Sequence, residues 1–281
     1  MDTQAAKGEV RPLTVPGASI HYEVLGSGPV LLCIPGGPAD ASAFHKLATE
    51  LASFYTVVAY DPRGLSHSSL TNSFDDERVI EINADDAHSL IAAISDGKAN
   101  VLASSGGAVI GLELARCHPE RIATLVAHET PAAAVLDNPA RARADIIDIA
   151  DTYKSAGLGA AFPKFMAYTR IAGSPPEGPR GEPTPEQLEG MAMMQRNMEF
   201  WFGHTMRGIG LYKPDFEALK EASCRIVSGV GAESRGELGN EGGLGLARLL
   251  GIEPVEFPGA HGGFESHAPE FARQLREVFG S

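Results

Sequence analysis

The run Val101-Leu102-Ala103-Ser104-Ser105-Gly106-Gly107 carries the strongest structural signal in the chain. It reads as a strand that turns sharply into a helix. A side chain at the tip of such a turn stands clear of the backbone. The turn closes only where the residues two before and two after the tip are small. Ala103 and Gly107 hold those places around Ser105, a variant of the Gly-x-Ser-x-Gly elbow with alanine for the first glycine. The helix behind Ser105 points its amide dipoles at the serine, which favours a developing oxyanion. The same small residues also serve plain strand-to-helix packing, so the elbow needs partners before it implies chemistry.

The flanking sequence supplies a frame for it. Residues 29–34 and 55–60 are continuous apolar runs, as expected of strands buried on both faces. Residues 19–25 alternate, and 100–103 and 122–127 read as further strands. Helical spacing is present at 41–51, 78–94 and 107–117. Strands alternating with helices predict an α/β fold, a mostly parallel sheet covered on both faces. From 132 to 222 the strand signal stops. Helices are expected at 142–154, 159–169 and 184–202, with a Pro/Gly-rich loop at 173–185. Strand signals return at 224–230 and 254–257, and a last helix is expected at 267–279. The expected organisation is a core of 1–131 and 223–281 interrupted by a helical insertion, 132–222.

Composition narrows the class. At about 150 residues per domain, 281 residues suit one large domain or a domain with an insertion. Hydrophobic residues at 43% and charged residues at 21% are globular usage and exclude disordered or fibrous classes. A net charge of −13 makes nucleic acid and anionic membrane poor partners. No apolar run reaches the roughly 18 residues that a membrane span needs. The first residues are polar and lack the apolar segment of a secretory signal. Cys33, Cys117 and Cys224 are widely spaced within apolar stretches. They are expected to be buried free thiols of a reducing cytoplasm, neither bridged nor metal-bound.

A serine needs a base. Of nine histidines, His261 is the best placed, in Phe257-Pro258-Gly259-Ala260-His261-Gly262-Gly263 just after the last strand. A loop there ends at the same sheet edge as the elbow, and its glycines allow a tight approach. His128, at a strand end, is a second candidate. His267 is expected at a helix start, and His21, His45, His67, His88, His118 and His204 at the surface or in packing.

Four segments together resemble the α/β-hydrolase superfamily over nearly the whole chain: Ile34-Pro35-Gly36-Gly37-Pro38, Tyr60-Asp61-Pro62-Arg63-Gly64-Leu65-Ser66, the Ser105 elbow and Pro258-Gly259-Ala260-His261. The first is usually His-Gly-Gly-Pro in that family, and Pro35 here replaces the histidine. The resemblance implies an oxyanion hole from the main-chain amides of Gly37 and Gly106. It gives Asp61 and Arg63 a bracing role, and Asp85 and Asp86 are expected on a solvated helix face. It also implies a cap, residues 132–222, over the nucleophile. Its methionines and aromatics are candidate pocket residues, with Phe165, Met194 and Trp201 foremost.

The triad acid has two candidates. The usual family position lies after the strand that follows the cap. There the aspartate site holds Ser234, with Glu233 one residue earlier. The other candidate is Glu129 in His128-Glu129-Thr130-Pro131, after the strand that follows the elbow helix. That stretch resembles the His-Glu-Leu-Pro segment of zearalenone-lactonase-like members, which carry a Ser-His-Glu triad. Glu129 is preferred. Its competing role is a structural carboxylate paired with Arg63 or a backbone amide; that of Glu233 is a loop ion pair with Arg235 or a helix cap.

The expectation is a serine hydrolase of a carboxylic ester or lactone of a small hydrophobic molecule, with no metal or organic cofactor. Alternatives are a zearalenone-type lactonase, an HGGP-type aminopeptidase and a hydrolase-fold ligand-binding protein with little turnover. The oligomeric state stays open, a homodimer included.

Overall fold

The computed structural model describes residues 8–171 and 183–280. Its described strands form one sheet: β1 (Glu9–Val15), β2 (Ala18–Gly26), β3 (Val30–Ile34), β4 (Thr56–Tyr60), β5 (Ser69–Leu70), β6 (Ala99–Ser104), β7 (Ile122–His128), β8 (Arg225–Gly231) and β9 (Val255–Phe257). The order across it is β1-β2-β4-β3-β6-β7-β8-β9, with β5 beside β2. From β4 to β9 all neighbours are parallel; β2 pairs antiparallel with β1, β4 and β5.

The apolar runs explain this arrangement. Successive strand residues point to opposite faces. Leu32 and Ile34 of β3 join one core with Val101, Ala103, Leu125 and Ala127. Leu31 and Cys33 join the core on the other face with Leu102, Val126, Val227 and Phe257. Every residue of β3 is buried, so the strand carries no polar alternation. The edge strand β1 is mostly exposed, which is why its pattern gave no strand signal.

Helices cover both faces. The first three are α1 (His45–Leu51), α2 (Val79–Ile94) and α3 (Gly106–Cys117). Between β7 and β8 the regular elements are helical: α4 (Pro139–Ala156), α5 (Leu158–Thr169), α6 (Pro185–Phe200), α7 (Met206–Leu211) and α8 (Phe216–Glu221), after a short 3-10 turn. Then come α9 (Leu238–Leu250), α10 (Gly263–Ser266) and α11 (Ala268–Phe279). Helices α2 and α3 lie on the first core, and α1 and α11 on the second. The insertion has its own core, in which Ile146, Ile149, Ala161, Trp201, Phe202 and Met206 meet. Asn138 caps α4, and Thr184 with Gln187 forms a capping box on α6.

Several expectations are corrected. The helix expected at 184–202 is α6 followed by a π-turn, Trp201–Thr205, which leads into α7. Helix α9 was not foreseen, because its glycines depress helix propensity. Cys117 is exposed, while Cys33 and Cys224 are buried free thiols. Asp86 is not on a solvated face: it is 1% exposed and holds Arg63 at 2.6 and 2.7 Å. Arg63 is therefore Asp86's partner rather than Glu129's. The loop expected at 173–185 lies, up to residue 182, outside the described residues. No described helix is long and apolar enough to cross a membrane.

Candidate active site

Ser105 sits between β6 and α3 with φ +54° and ψ −123°, a conformation that non-glycine residues rarely adopt. Two main-chain bonds hold it there. Its N–H donates to the His128 carbonyl at 2.8 Å, and its carbonyl accepts from Ala108 N–H at 2.9 Å. The small residues of the elbow now have a physical reason. A Cβ on Gly107 would lie 2.4 Å from the Ile34 carbonyl oxygen, so only glycine lets α3 start this close to β3. A Cβ on Gly36 would lie 2.6 Å from Ser105 Cβ, so the 34–38 loop presses directly on the elbow. The Gly37 amide nitrogen is 3.5 Å from where a Gly106 Cβ would stand. Among the described residues, neither the Gly37 nor the Gly106 amide donates to a backbone carbonyl.

Glu129 follows β7 directly and also has a positive φ, +55°. Its side chain is buried and fully engaged. The His261 ring nitrogen Nδ1 is 2.5 Å from Oε2. Oε1 accepts from Gly231 N–H at 2.9 Å and from the Ser234 hydroxyl. Asn240 donates in turn to Ser234 Oγ and to the Gly231 carbonyl, each at 3.1 Å. Burial opposes ionisation of Glu129. The His261 hydrogen bond, neighbouring His128 and the Ser234 hydroxyl outweigh it and bring the carboxyl down to about 2.

The position where an aspartate was expected thus holds a serine that donates to a glutamate from another strand. The other candidate, Glu233, is turned away: its carboxylate is 61% exposed and lies 3.9 Å from His267 Nε2. Arg235 pairs with Glu256 at 3.7 Å.

His261 enters from the turn after β9. Gly259 has φ +82°, and a Cβ there would strike His267 and Gly263. Its carbonyl accepts Glu233 N–H at 3.0 Å, which ties this turn to the end of β8. His261 and Ser105 border one cavity, with no direct hydrogen bond between them among the described residues. Nε2 is the ring nitrogen left for chemistry, and catalytic contacts often tighten only on substrate. His128, the second candidate base, is wholly buried on the other face. It packs edge-on to Phe257, Phe264 and Phe271, and burial pushes its imidazole down to about 4.

The cavity has about 60 Å³ of free volume and mainly apolar walls, including Phe165, Trp201, Met206 and Ile209 from the insertion and Leu238 from α9. Phe165 meets Trp201 edge-on, ring centroids 5.2 Å apart. Met194 is not among the lining residues: it is 50% exposed on α6. The methionine on the wall is Met206, brought there by the π-turn.

Three supporting roles left no sign in the sequence. Ser234 and Asn240 brace the acid. On α9, a Cβ at Gly239 would lie 2.7 Å from Glu129 Oε2 and 3.0 Å from His261 Nδ1, so glycine leaves room for their pair. A fourth, Asn197 on α6, is buried. Its amide donates to the Pro38 carbonyl at 3.1 Å and its oxygen accepts Ser66 N–H at 2.8 Å. This pins the insertion to the 34–38 loop.

Residues 29–163 match the family model described as alpha/beta hydrolase fold. The uncharacterized hydrolase YraK of Bacillus subtilis is 36% identical over 274 residues, 95% of this chain and 94% of YraK. The chain belongs to the α/β-hydrolase family. It is a hydrolase of that family, and its neighbours include esterases and lactonases. A thermophilic esterase from Thermogutta terrifontis shares the fold, with TM-score 0.71 at 20% identity over 98% of each chain. The zearalenone hydrolase of Cladophialophora bantiana is a partial relative, 32% identical over 126 residues, 43% of this chain and 46% of that one.

Proposed function

We propose that this hydrolase cleaves a carboxylic ester or lactone of a small apolar molecule through an acyl-enzyme on Ser105. One observation carries the reading: His261, held at 2.5 Å by the buried Glu129, borders the same cavity as the Ser105 elbow. Ser105 Oγ attacks the carbonyl carbon while His261 Nε2 takes its proton. Glu129 holds the imidazole through Nδ1 and stabilises its charged form. The Gly37 and Gly106 amides receive the oxyanion, each such donor contributing roughly 3–4 kcal/mol in the transition state. Collapse expels the alcohol, which leaves with the proton from His261. Water then attacks the acyl carbon with His261 as base, freeing the acid and Ser105. No step calls on a metal or organic cofactor.

A lactone is the more specific reading. The partial likeness to a zearalenone hydrolase supports it, as do the apolar walls that the insertion gives the cavity. The cavity-lining residues Trp201 and Tyr168 bury donors, Nε1–H and O–H, that lack partners among the described residues. A substrate with oxygens beyond the scissile ester supplies acceptors for them. The aminopeptidase reading asks for carboxylates that grip an amine, and Glu186, Glu189 and Glu199 are not among the cavity's lining residues. Free thiols at Cys33, Cys117 and Cys224 suit a reducing cytoplasm.

The test is turnover of a short-chain nitrophenyl ester beside a macrocyclic resorcylate lactone and an N-terminal proline amide. Hydrolysis of the esters that is abolished by Ser105→Ala is expected. Ester turnover that survives this change in a folded variant would remove Ser105, and cleavage of the amide alone would favour the peptidase. Binding without turnover would make the protein a ligand receptor.

A further inference from the structure

Behind the 34–38 loop, outside the hydrolytic cavity, three side chains converge that neither the sequence reading nor the reaction employs as ligands. We propose that His21, Asp61 and His67 form a site for a divalent transition metal of the zinc type. Each offers one ligand atom, and the three atoms all lie within 4.8 Å of one another. They come from separate segments: His21 from β2, Asp61 from the end of β4, and His67 from the loop that follows.

The site is set up in advance. Asp61 is 1% exposed, so its carboxylate is fixed by its surroundings. Oδ1 accepts Ala41 N–H and Oδ2 accepts His67 N–H, both at 3.0 Å. His67 Nδ1 lies 2.9 Å from the same Oδ2. The His21 and His67 rings stand 4.7 Å apart, tilted by 34°. His21 is bound into the sheet, and its N–H donates to Ser68 Oγ at 2.8 Å. The His67 side chain is 56% exposed, which opens a path from solvent. A further carboxylate, Glu23, lies 4.0 Å from His21 Nε2 and also holds His45 at 2.8 Å. Asp40, hydrogen-bonded to Ser66, adds negative charge near His67. The surroundings therefore favour a cation.

The donor set chooses its class. Two imidazoles and one carboxylate suit Zn²⁺, Ni²⁺ or Cu²⁺, whereas Mg²⁺ and Ca²⁺ take oxygen cages. Ligand atoms about 2.1 Å from a tetrahedral zinc stand roughly 3.4 Å from each other. Water takes the fourth place. Because Asp61 also holds Ala41, an ion on Oδ2 fastens β2 and the 61–68 loop to the segment just after Gly37.

The experiment uses the full chain, stripped with chelator, in a Cys117→Ser background so that the exposed thiol does not compete. Zn²⁺ is titrated by calorimetry, with Mg²⁺ as the comparison and Co²⁺ as the spectroscopic probe. The expected result is one Zn²⁺ per chain, tetrahedral d–d bands with Co²⁺, and a rise in Tm with Zn²⁺ but not Mg²⁺. His67→Ala keeps the backbone bond to Asp61 and is expected to weaken Zn²⁺ at least tenfold, as is His21→Ala. His204→Ala removes another surface histidine paired with an aspartate, Asp76, and should leave the affinity unchanged. Zn²⁺ affinity unaltered by His67→Ala, or no tighter than that of Mg²⁺, overturns the site whatever the esterase assays give.

Discussion

Glu129 shows how one side chain's surroundings assign its role. Its carboxylate accepts from His261, Gly231 and Ser234 at once and ionises far below the ordinary carboxylate range. Glu129→Gln is expected to lower kcat by about 10³–10⁴-fold, because the amide no longer stabilises the charged imidazole. Glu233→Gln should leave kcat within about twofold, since that carboxylate is exposed and reaches only toward His267. Steady-state kinetics on the two variants separates them. Ser234→Ala should cost activity less than Glu129→Gln does and shift the acid limb of the pH–rate profile upward, because Glu129 loses one donor. That Ser105 and His261 meet at one cavity was legible in the sequence, since a tight elbow and a glycine-flanked loop each leave a local mark. Asn240 left none and Ser234 only filled the expected aspartate site, because their role exists only where the end of β8 meets Glu129.

Helices α6 and α9 carry the next level of support. The sequence predicted a helix at 184–202 but not the π-turn at its end. Apolar spacing reports a helix, whereas one extra residue in a turn reports a local fit. That turn brings Trp201 and Met206 together on the cavity wall. Helix α9 was illegible for the opposite reason. Its glycines look like a loop, yet a Cβ at Gly242 would lie 1.8 Å from the Thr130 carbonyl oxygen. The close packing that seats α9 against Glu129 is what requires residues of poor helix propensity. Asn197→Ala removes the buried amide that ties α6 to Pro38 and Ser66. It is expected to destabilise the fold by about 1–3 kcal/mol, from the donors and acceptors left unpaired, and to raise KM as the insertion loosens. Thermal denaturation and initial rates check both outcomes.

Across the whole molecule the parallel sheet was the most legible feature, because strands buried on two faces are written as unbroken apolar runs. A Leu32→Ala change in such a strand should cost about 2–5 kcal/mol in denaturant unfolding. Stability is also expected to fall in acid through two buried groups. His128 is held neutral, with its folded pKa depressed to about 4. Below the ordinary imidazole value of about 6.5 the unfolded chain takes a proton that the fold refuses, so stability falls from there to about pH 4. Glu129 then extends the loss. Its contribution is present above the ordinary carboxylate value and disappears as pH falls toward about 2. His128→Phe should flatten the first of these limbs in a pH series of melting temperatures. The most direct test of the proposed hydrolase chemistry is the intact mass of the protein after reaction with a fluorophosphonate probe. One adduct per chain on the Ser105 peptide is predicted, lost in Ser105→Ala and strongly slowed in His261→Ala. No adduct, or an equal adduct in Ser105→Ala, contradicts it.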